Sequence, residues 1–262
     1  MDLNLSGKHA LVCGGSEGIG RAAAHELALL GADVTVLARR TERLQAVAAA
    51  LPRIYEGQRH DWIAADVADQ DTLQSQVETL AQARAVHVLV NNTGGPPGGR
   101  AVDAQACAYL DAFHRHLLAN HALVQAVLPG MQAARWGRIV NVISTSVKEP
   151  IANLGVSNSI RGAVASWAKT LSRELGGDGI TVNNVLPGYT RTQRLEQILD
   201  DRSAAAGKSR DAIAAAMLAS VPAGRFAEAS EIAAAIAFLA SPAAAYLNGV
   251  SLAVDGGRMQ SI

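Results

Sequence analysis

A chain of 262 residues is long enough to bury one sizeable α/β core and needs no second domain to do so. Its hydrophobic fraction is 49% but its aromatic fraction only 4%, so that core is built mainly from Ala, Val, Leu and Ile. The 23 basic and 23 acidic residues balance with no block of one sign, which removes the electrostatic basis for a nucleic-acid partner.

The first unit is the clearest. His9 to Cys13 is a short apolar strand, followed by the turn Gly14-Gly15-Ser16-Glu17-Gly18-Ile19-Gly20 and a helix over Arg21 to Leu30 that Gly31 ends. Asp33 to Ala38 reads as a second strand and Thr41 to Ala49 as a second helix, which together make a right-handed βαβ unit with parallel strands. Further strands fall at about Arg59–Ala64, Val86–Asn91, Arg138–Ile143, Thr181–Val185 and Ser251–Val254. Helices between them cover Asp69–Ala83, Asp103–Ala134, about Leu154–Leu175, and Ala229–Ala240. The alternation predicts a doubly wound Rossmann fold in one domain over 1–262: a parallel sheet of about seven strands with helices on both faces. Residues 190–224 are polar, Ala-rich and helical in propensity with no strand, and are expected to form a helical substrate lid inserted in that domain.

Cys13 and Cys107 are the only cysteines and lie in no metal-like spacing, so a reducing compartment and no metal site are expected. Met1 to Lys8 is polar and lacks an export signal's apolar segment, and no apolar stretch reaches membrane-spanning length. The expectation is a cytoplasmic protein with no membrane partner.

A glycine-rich turn between a strand and a helix suits a dinucleotide. Gly14, Gly18 and Gly20 permit a tight turn and close approach of phosphate oxygens, and the free N–H groups around Ser16, Gly18 and Ile19 favour an anion. At the end of the second strand an acidic residue would accept the ribose hydroxyls of NAD, whereas basic groups accommodate the 2′-phosphate of NADP. Arg39 and Arg40 stand there, so NADP is expected over NAD, although the carboxylate of Glu17 approaches the same phosphate position. Asp66 and Val67 follow the third strand at the adenine edge. Asn92-Thr93-Gly94 ends the fourth, and Pro187-Gly188 with Thr190 and Thr192 follows the sixth, near the nicotinamide.

These ordered motifs resemble the classical-type short-chain dehydrogenase/reductases, and the resemblance covers nearly the whole chain. Cys13-Gly14 through Gly20 matches the family's glycine motif, with Cys13 where Thr is usual. Asn91-Asn92-Thr93-Gly94 matches its Asn-Asn-Ala-Gly turn, Arg138 to Ser144 the strand leading to its catalytic serine, and Asp255-Gly256-Gly257 a late landmark. Within that family the chain resembles reductases of the 3-oxoacyl-(acyl-carrier-protein) type. The resemblance implies an NADP-dependent oxidoreductase acting on a carbonyl or secondary alcohol, a 3-oxoacyl thioester being one such substrate. It also implies a homodimer or homotetramer joined through the two long helices.

The catalytic motif departs from the family pattern. The family positions the carbonyl with serine, donates the proton from tyrosine, and supports both with lysine four residues later. Counted without a gap from Ser144, the tyrosine position is Ser157 and the lysine position Arg161; the family's helix asparagine becomes His116, with Asn120 one turn on. A serine hydroxyl is a far weaker acid than a phenol, and a guanidinium does not exchange its proton near neutrality. Arg161 retains the ability to bind the nicotinamide ribose and attract an oxyanion. Candidates for a replacement acid are Lys148, four residues after Ser144, then Tyr189 and His116. The alternative is a catalytically inactive NADP-binding sensor or scaffold.

Overall fold

The computed structural model describes residues 1–261. Seven strands make one sheet: β1 (His9–Cys13), β2 (Asp33–Ala38), β3 (His60–Ala64), β4 (Val88–Asn91), β5 (Gly137–Val142), β6 (Ile180–Pro187) and β7 (Ser251–Val254). Their spatial order is β3-β2-β1-β4-β5-β6-β7 and every pairing is parallel. This is the doubly wound Rossmann arrangement. The strand order reverses between the neighbours β1 and β4, and the crevice at such a switch point is where these sheets take ligands.

Alternation along the strands sorts the core. Val12, Val34, Val36, Val88 and Val90 pack on one face with α1 (Gly18–Leu29), α2 (Thr41–Ala50) and α9 (Ala229–Ala240). Leu11, Leu37, Leu89 and Ile139 pack on the other with α3 (Gln70–Ala83), α5 (Ala119–Ala134) and α6 (Gly155–Leu175). With both faces covered, β1, β4 and β5 are buried at every position and β2 and β6 at all but the last, so the central strands read largely as apolar runs.

Across four strands runs a polar ladder, from the last residue of β4 to the first residue of β7. Asn91 Nδ2 donates to Asn141 Oδ1 at 2.9 Å, Asn141 Nδ2 to Asn184 Oδ1 at 3.0 Å, and Asn184 Nδ2 to Ser251 Oγ at 3.1 Å. These residues are direct cross-strand partners, so the amides pin β4, β5, β6 and β7 in register beneath the cleft.

The helix expected over Asp103–Ala134 is interrupted. It begins as α4 (Ala106–Phe113), widens into a π-helical turn at His114–Leu118, and resumes as α5. Single wide turns of this kind collect at functional sites, and His116 sits in this one. The 190–224 segment forms α7 (Gln193–Ala206) and α8 (Arg210–Leu218), which share a small core of Leu195, Leu199, Met217 and Phe226. Thr190 nevertheless makes one parallel bridge, to Ala227. Among the described residues no helix is long and apolar enough to cross a membrane.

At the opposite edge of the sheet, His9 is buried on β1 with Nε2 2.8 Å from Thr35 Oγ1. Burial first, and then the Arg84 guanidinium, push its pKa down to about 4. Between the ordinary imidazole value and about 4 the unfolded chain binds a proton there that the folded chain refuses, so stability falls as pH falls through that window. Urea unfolding at pH 7 and pH 4.5 should give a lower ΔG at pH 4.5 by on the order of a few kcal/mol. His9→Gln should flatten part of that dependence; an unchanged slope in the variant would remove His9 as its source.

Candidate functional site

One cleft of about 1020 Å³ opens at the carboxyl edge of the sheet, over the β1–β4 switch point. It lies at the upper end of the roughly 300–1,000 Å³ range of ligand pockets, which suits a long ligand with a second, smaller one beside it.

Its floor is set by glycine. Gly14 has φ 63°, and a Cβ there would stand 2.0 Å from the Asn92 carbonyl oxygen. A Cβ on Gly20 would stand 2.2 Å from the Gly14 carbonyl oxygen. The turn, the start of α1 and the end of β4 therefore touch through backbone alone. Gly18, Ile19 and Gly20 are the first residues of α1, so their N–H groups have no intrahelical acceptor, and Glu17 at the cap makes no side-chain capping bond. Gly14, Ser16, Gly18 and Ile19 line the cleft, whereas Gly20 is buried behind them and contributes closeness of packing. Thr192 caps α7 and faces the same spot, its Cγ2 3.3 Å from where a Gly18 Cβ would be. Two helix N-termini thus converge there, a setting for a pyrophosphate.

At one end the cleft is lined by Arg39, Arg40, Asp66 and Val67. Glu17 Oε2 accepts from Arg40 Nη2 at 3.0 Å and from Arg43 Nη1 at 2.7 Å. Three arginines against one carboxylate leave an excess of positive charge, as a 2′-phosphate needs. Glu17 acts here on the arginines, holding two of them together. Arg43 was missed in the sequence reading; its signal was its spacing, one helical turn after Arg40 on the same face. Asp66 Oδ1 stands 3.5 Å from Arg115 Nη1 across the opening.

The other end gathers Asn92, Thr93, Gly94, His116, Ser144, Ser157, Arg161, Pro187, Gly188, Tyr189 and Thr190. Ser144 follows β5 and its Oγ accepts from Ser146 N at 3.1 Å. Ser157 and Arg161 lie one turn apart on α6. Arg161 is 8% exposed, its Nη1 donating to the Val142 carbonyl at 2.9 Å and its Nη2 to the Thr93 carbonyl at 3.4 Å. Burial, with Arg194 nearby, lowers its pKa only to about 10, so it is a cation at neutral pH. His116 Nδ1 is 2.6 Å from Thr93 Oγ1. Burial, then the charges of Arg161 and Arg115, push its pKa down to about 3, so its ring is neutral.

Of the catalytic candidates, Lys148 alone stands apart: it is exposed on the loop after β5 and does not line the cleft. Among the described residues the cleft has no lysine in its lining, and Tyr189 is its one tyrosine. The Tyr189 ring is held edge-on by Phe226 at 6.2 Å and covered by the Arg258 guanidinium at 4.5 Å. Arg194, at the start of α7, also lines this end and was missed, because nothing in sequence ties α7 to the β4 loop.

A parallel sheet with a phosphate-binding turn at its switch point and a second reactive end defines a dinucleotide-dependent enzyme scaffold. The family model described as enoyl-(acyl carrier protein) reductase matches residues 14–258. The 3-oxoacyl-[acyl-carrier-protein] reductase of Vibrio harveyi is 36% identical over 97% of this chain and 98% of its own. L-sorbose reductase of Gluconobacter frateurii, solved with NADPH and L-sorbose, superposes with a TM-score of 0.93 at 29% identity, covering 100% of both chains. A variant of actinorhodin polyketide ketoreductase with NADPH does so with a TM-score of 0.89 at 31% identity, over 97% of this chain and 98% of that one. The chain belongs to the short-chain dehydrogenase/reductase family, a class of NAD(P)(H)-dependent oxidoreductases.

The arginine cluster makes a direct expectation. Arg40→Ala combined with Arg43→Ala should raise the NADPH Kd by about tenfold or more, the scale of one lost charge-assisted hydrogen bond, and leave NADH within about twofold. Glu17→Gln should act in the opposite sense. Fluorescence titration of both reduced cofactors checks this, and a wild-type protein that prefers NADH would overturn it.

Proposed function

We propose that the protein is an NADP(H)-dependent oxidoreductase that interconverts a carbonyl and a secondary alcohol without a tyrosine acid. The cofactor, when bound, supplies or accepts a hydride at the nicotinamide end of the cleft. The residues fit it: a glycine cradle that a Cβ would fill, two open helix N-termini, and the Arg39, Arg40 and Arg43 cluster.

One observation carries the chemical reading. The buried Arg161 guanidinium is fixed by two carbonyl groups and has no carboxylate within salt-bridge distance among the described residues. Its charge is therefore free to act on a ligand. In a site shielded from water, a preorganised cation facing the substrate oxygen stabilises the alkoxide that hydride addition creates. Ser144 orients that oxygen by hydrogen bonding. Because Arg161 keeps its proton, the proton that ends on the oxygen comes from solvent, passed along the Ser144 and Ser157 hydroxyls. His116 stays neutral and steadies Thr93, whose carbonyl accepts from Arg161.

A copy number of two or four belongs to the same reading. Exposed apolar side chains stand beside α4 at Val102 and Leu110 and near β7 at Tyr246 and Leu252, where copies can meet. Residues 190–224 serve as the substrate lid, α7 forming one wall of the cleft.

The protonation states predict the pH profile. His116 loses its proton at about 3 and Arg161 at about 10, so neither changes charge across pH 5 to 9. The profile of kcat/KM in the reductive direction should be flat over that range. Arg161→Met should lower kcat by roughly 100-fold or more, whereas Tyr189→Phe should leave it within about threefold. A steep loss in the Tyr189 variant would make that phenol the acid. An NADPH complex that turns over no compound in a broad carbonyl and alcohol panel would instead support the sensor reading.

A further inference from the structure

Two guanidinium groups face one gap in the cleft with no acid between them. A Cβ built on Gly95 would stand 3.8 Å from Arg161 Nη2 and 3.9 Å from Arg194 Nη2. Each is steered by neutral partners alone: Arg161 by the Val142 and Thr93 carbonyls, Arg194 by the Pro96 carbonyl at 2.9 Å and Gln197 Oε1 at 3.2 Å. The other acids lining the cleft are elsewhere. Glu17 is held by Arg40 and Arg43, Asp66 by Arg115 and Asp103 by Arg100, while Asp111 is exposed. Two like charges converging without a counterion repel, and the influence of Arg194 on the Arg161 pKa reflects this. Gly95 leaves the gap open, since it places no side chain between them.

We infer that the substrate is a short oxo acid, its carbonyl oxygen against Arg161 and its carboxylate against Arg194. This rests on the oxidoreductase reading and names its substrate class. Both nitrogens lie within 4 Å of one point and so less than 8 Å apart, a span that the two oxygen groups of a 2-oxo or 3-oxo acid can bridge. Guanidinium matches carboxylate by paired N–H donors, which a neutral ester or thioester cannot engage as strongly. The reduction balances simply: hydride adds to the carbonyl carbon, a solvent proton ends on its oxygen, and a hydroxy acid leaves with its carboxylate unchanged. The anion that Arg194 answers could instead be the cofactor's pyrophosphate, so the experiment separates the two sources.

Straight-chain 2-oxo and 3-oxo acids of four to eight carbons are compared with their methyl esters on the wild type, Arg194→Met and Arg194→Lys. Two readouts are taken: NADPH oxidation, and binding to the NADP⁺-loaded protein by calorimetry. The wild type should favour an acid over its ester by at least about tenfold, the weight of one charge-assisted hydrogen bond. Arg194→Met should erase that preference while the NADPH Kd stays within about twofold, and Arg194→Lys should restore part of it. Acids and esters reduced equally well would overturn the carboxylate site and leave the oxidoreductase reading standing. Acids bound in preference to esters, but reduced by none, would do the reverse. A preference absent from both readouts, or an Arg194→Met variant that loses NADPH instead, overturns the inference.

Discussion

Backbone contact between three segments fixes everything the cleft does. Gly14, Gly20 and Asn92 approach so closely that a methyl group on either glycine would overlap a carbonyl oxygen. No other residue type permits this, and Gly14 also occupies a left-handed conformation. The contact joins the β1 turn, the first turn of α1 and the end of β4. It therefore sets the distance between the phosphate-binding amides and the Asn92–Gly94 wall at the reactive end. The polar ladder below holds β4, β5, β6 and β7 in register, so both ends of the cleft are built on one rigid edge.

On that rigid edge the electrostatics are unusual. Taking a guanidinium out of water costs several kcal/mol unless its donors are satisfied. Arg161 has two of its five N–H donors met by carbonyl oxygens, which leaves its charge uncancelled and other donors open to a ligand. A carboxylate partner would have stabilised the fold more and left nothing for a ligand. Lysine at this position would present a point charge able to exchange its proton; arginine presents a fixed fork that keeps it. At this position arginine therefore offers an anion paired donors but no exchangeable proton. The same logic governs His116, where burial beside two arginines keeps the ring neutral.

The sheet was legible because its residues report burial directly. Strands buried on both faces appear as short apolar runs, and glycine at 14, 18 and 20 has one backbone explanation. That the proposed cofactor residues share one cleft was legible for the same reason: most follow strand ends, whose order along the chain predicts their place in space. What escaped depends on contacts between distant segments. The π-helical turn at His114–Leu118 leaves no mark in a periodic pattern, since one extra residue per turn resembles ordinary helix. Lys148 reads as a neighbour of Ser144, but the 3-10 turn at Thr145–Val147 separates them and leaves the lysine in solvent. Arg194 stands 98 residues from the Pro96 carbonyl it binds, a relation that only folding creates.

That last contact connects the two halves of the site. Thr192 and Arg194 belong to the first turn of one helix, yet the first sits against Gly18 and the second reaches the β4 loop. A helix turn is stiff, so a shift of α7 that moves one must move the other. On the proposed reading, phosphate contacts near Thr192 and anion contacts at Arg194 are therefore mechanically linked through about 3 Å of helix. On that reading, a cofactor that fixes the start of α7 also sets where the second guanidinium stands before a substrate arrives. The glycine cradle and the unpaired arginines, which look like separate features in the sequence, then act as a single device.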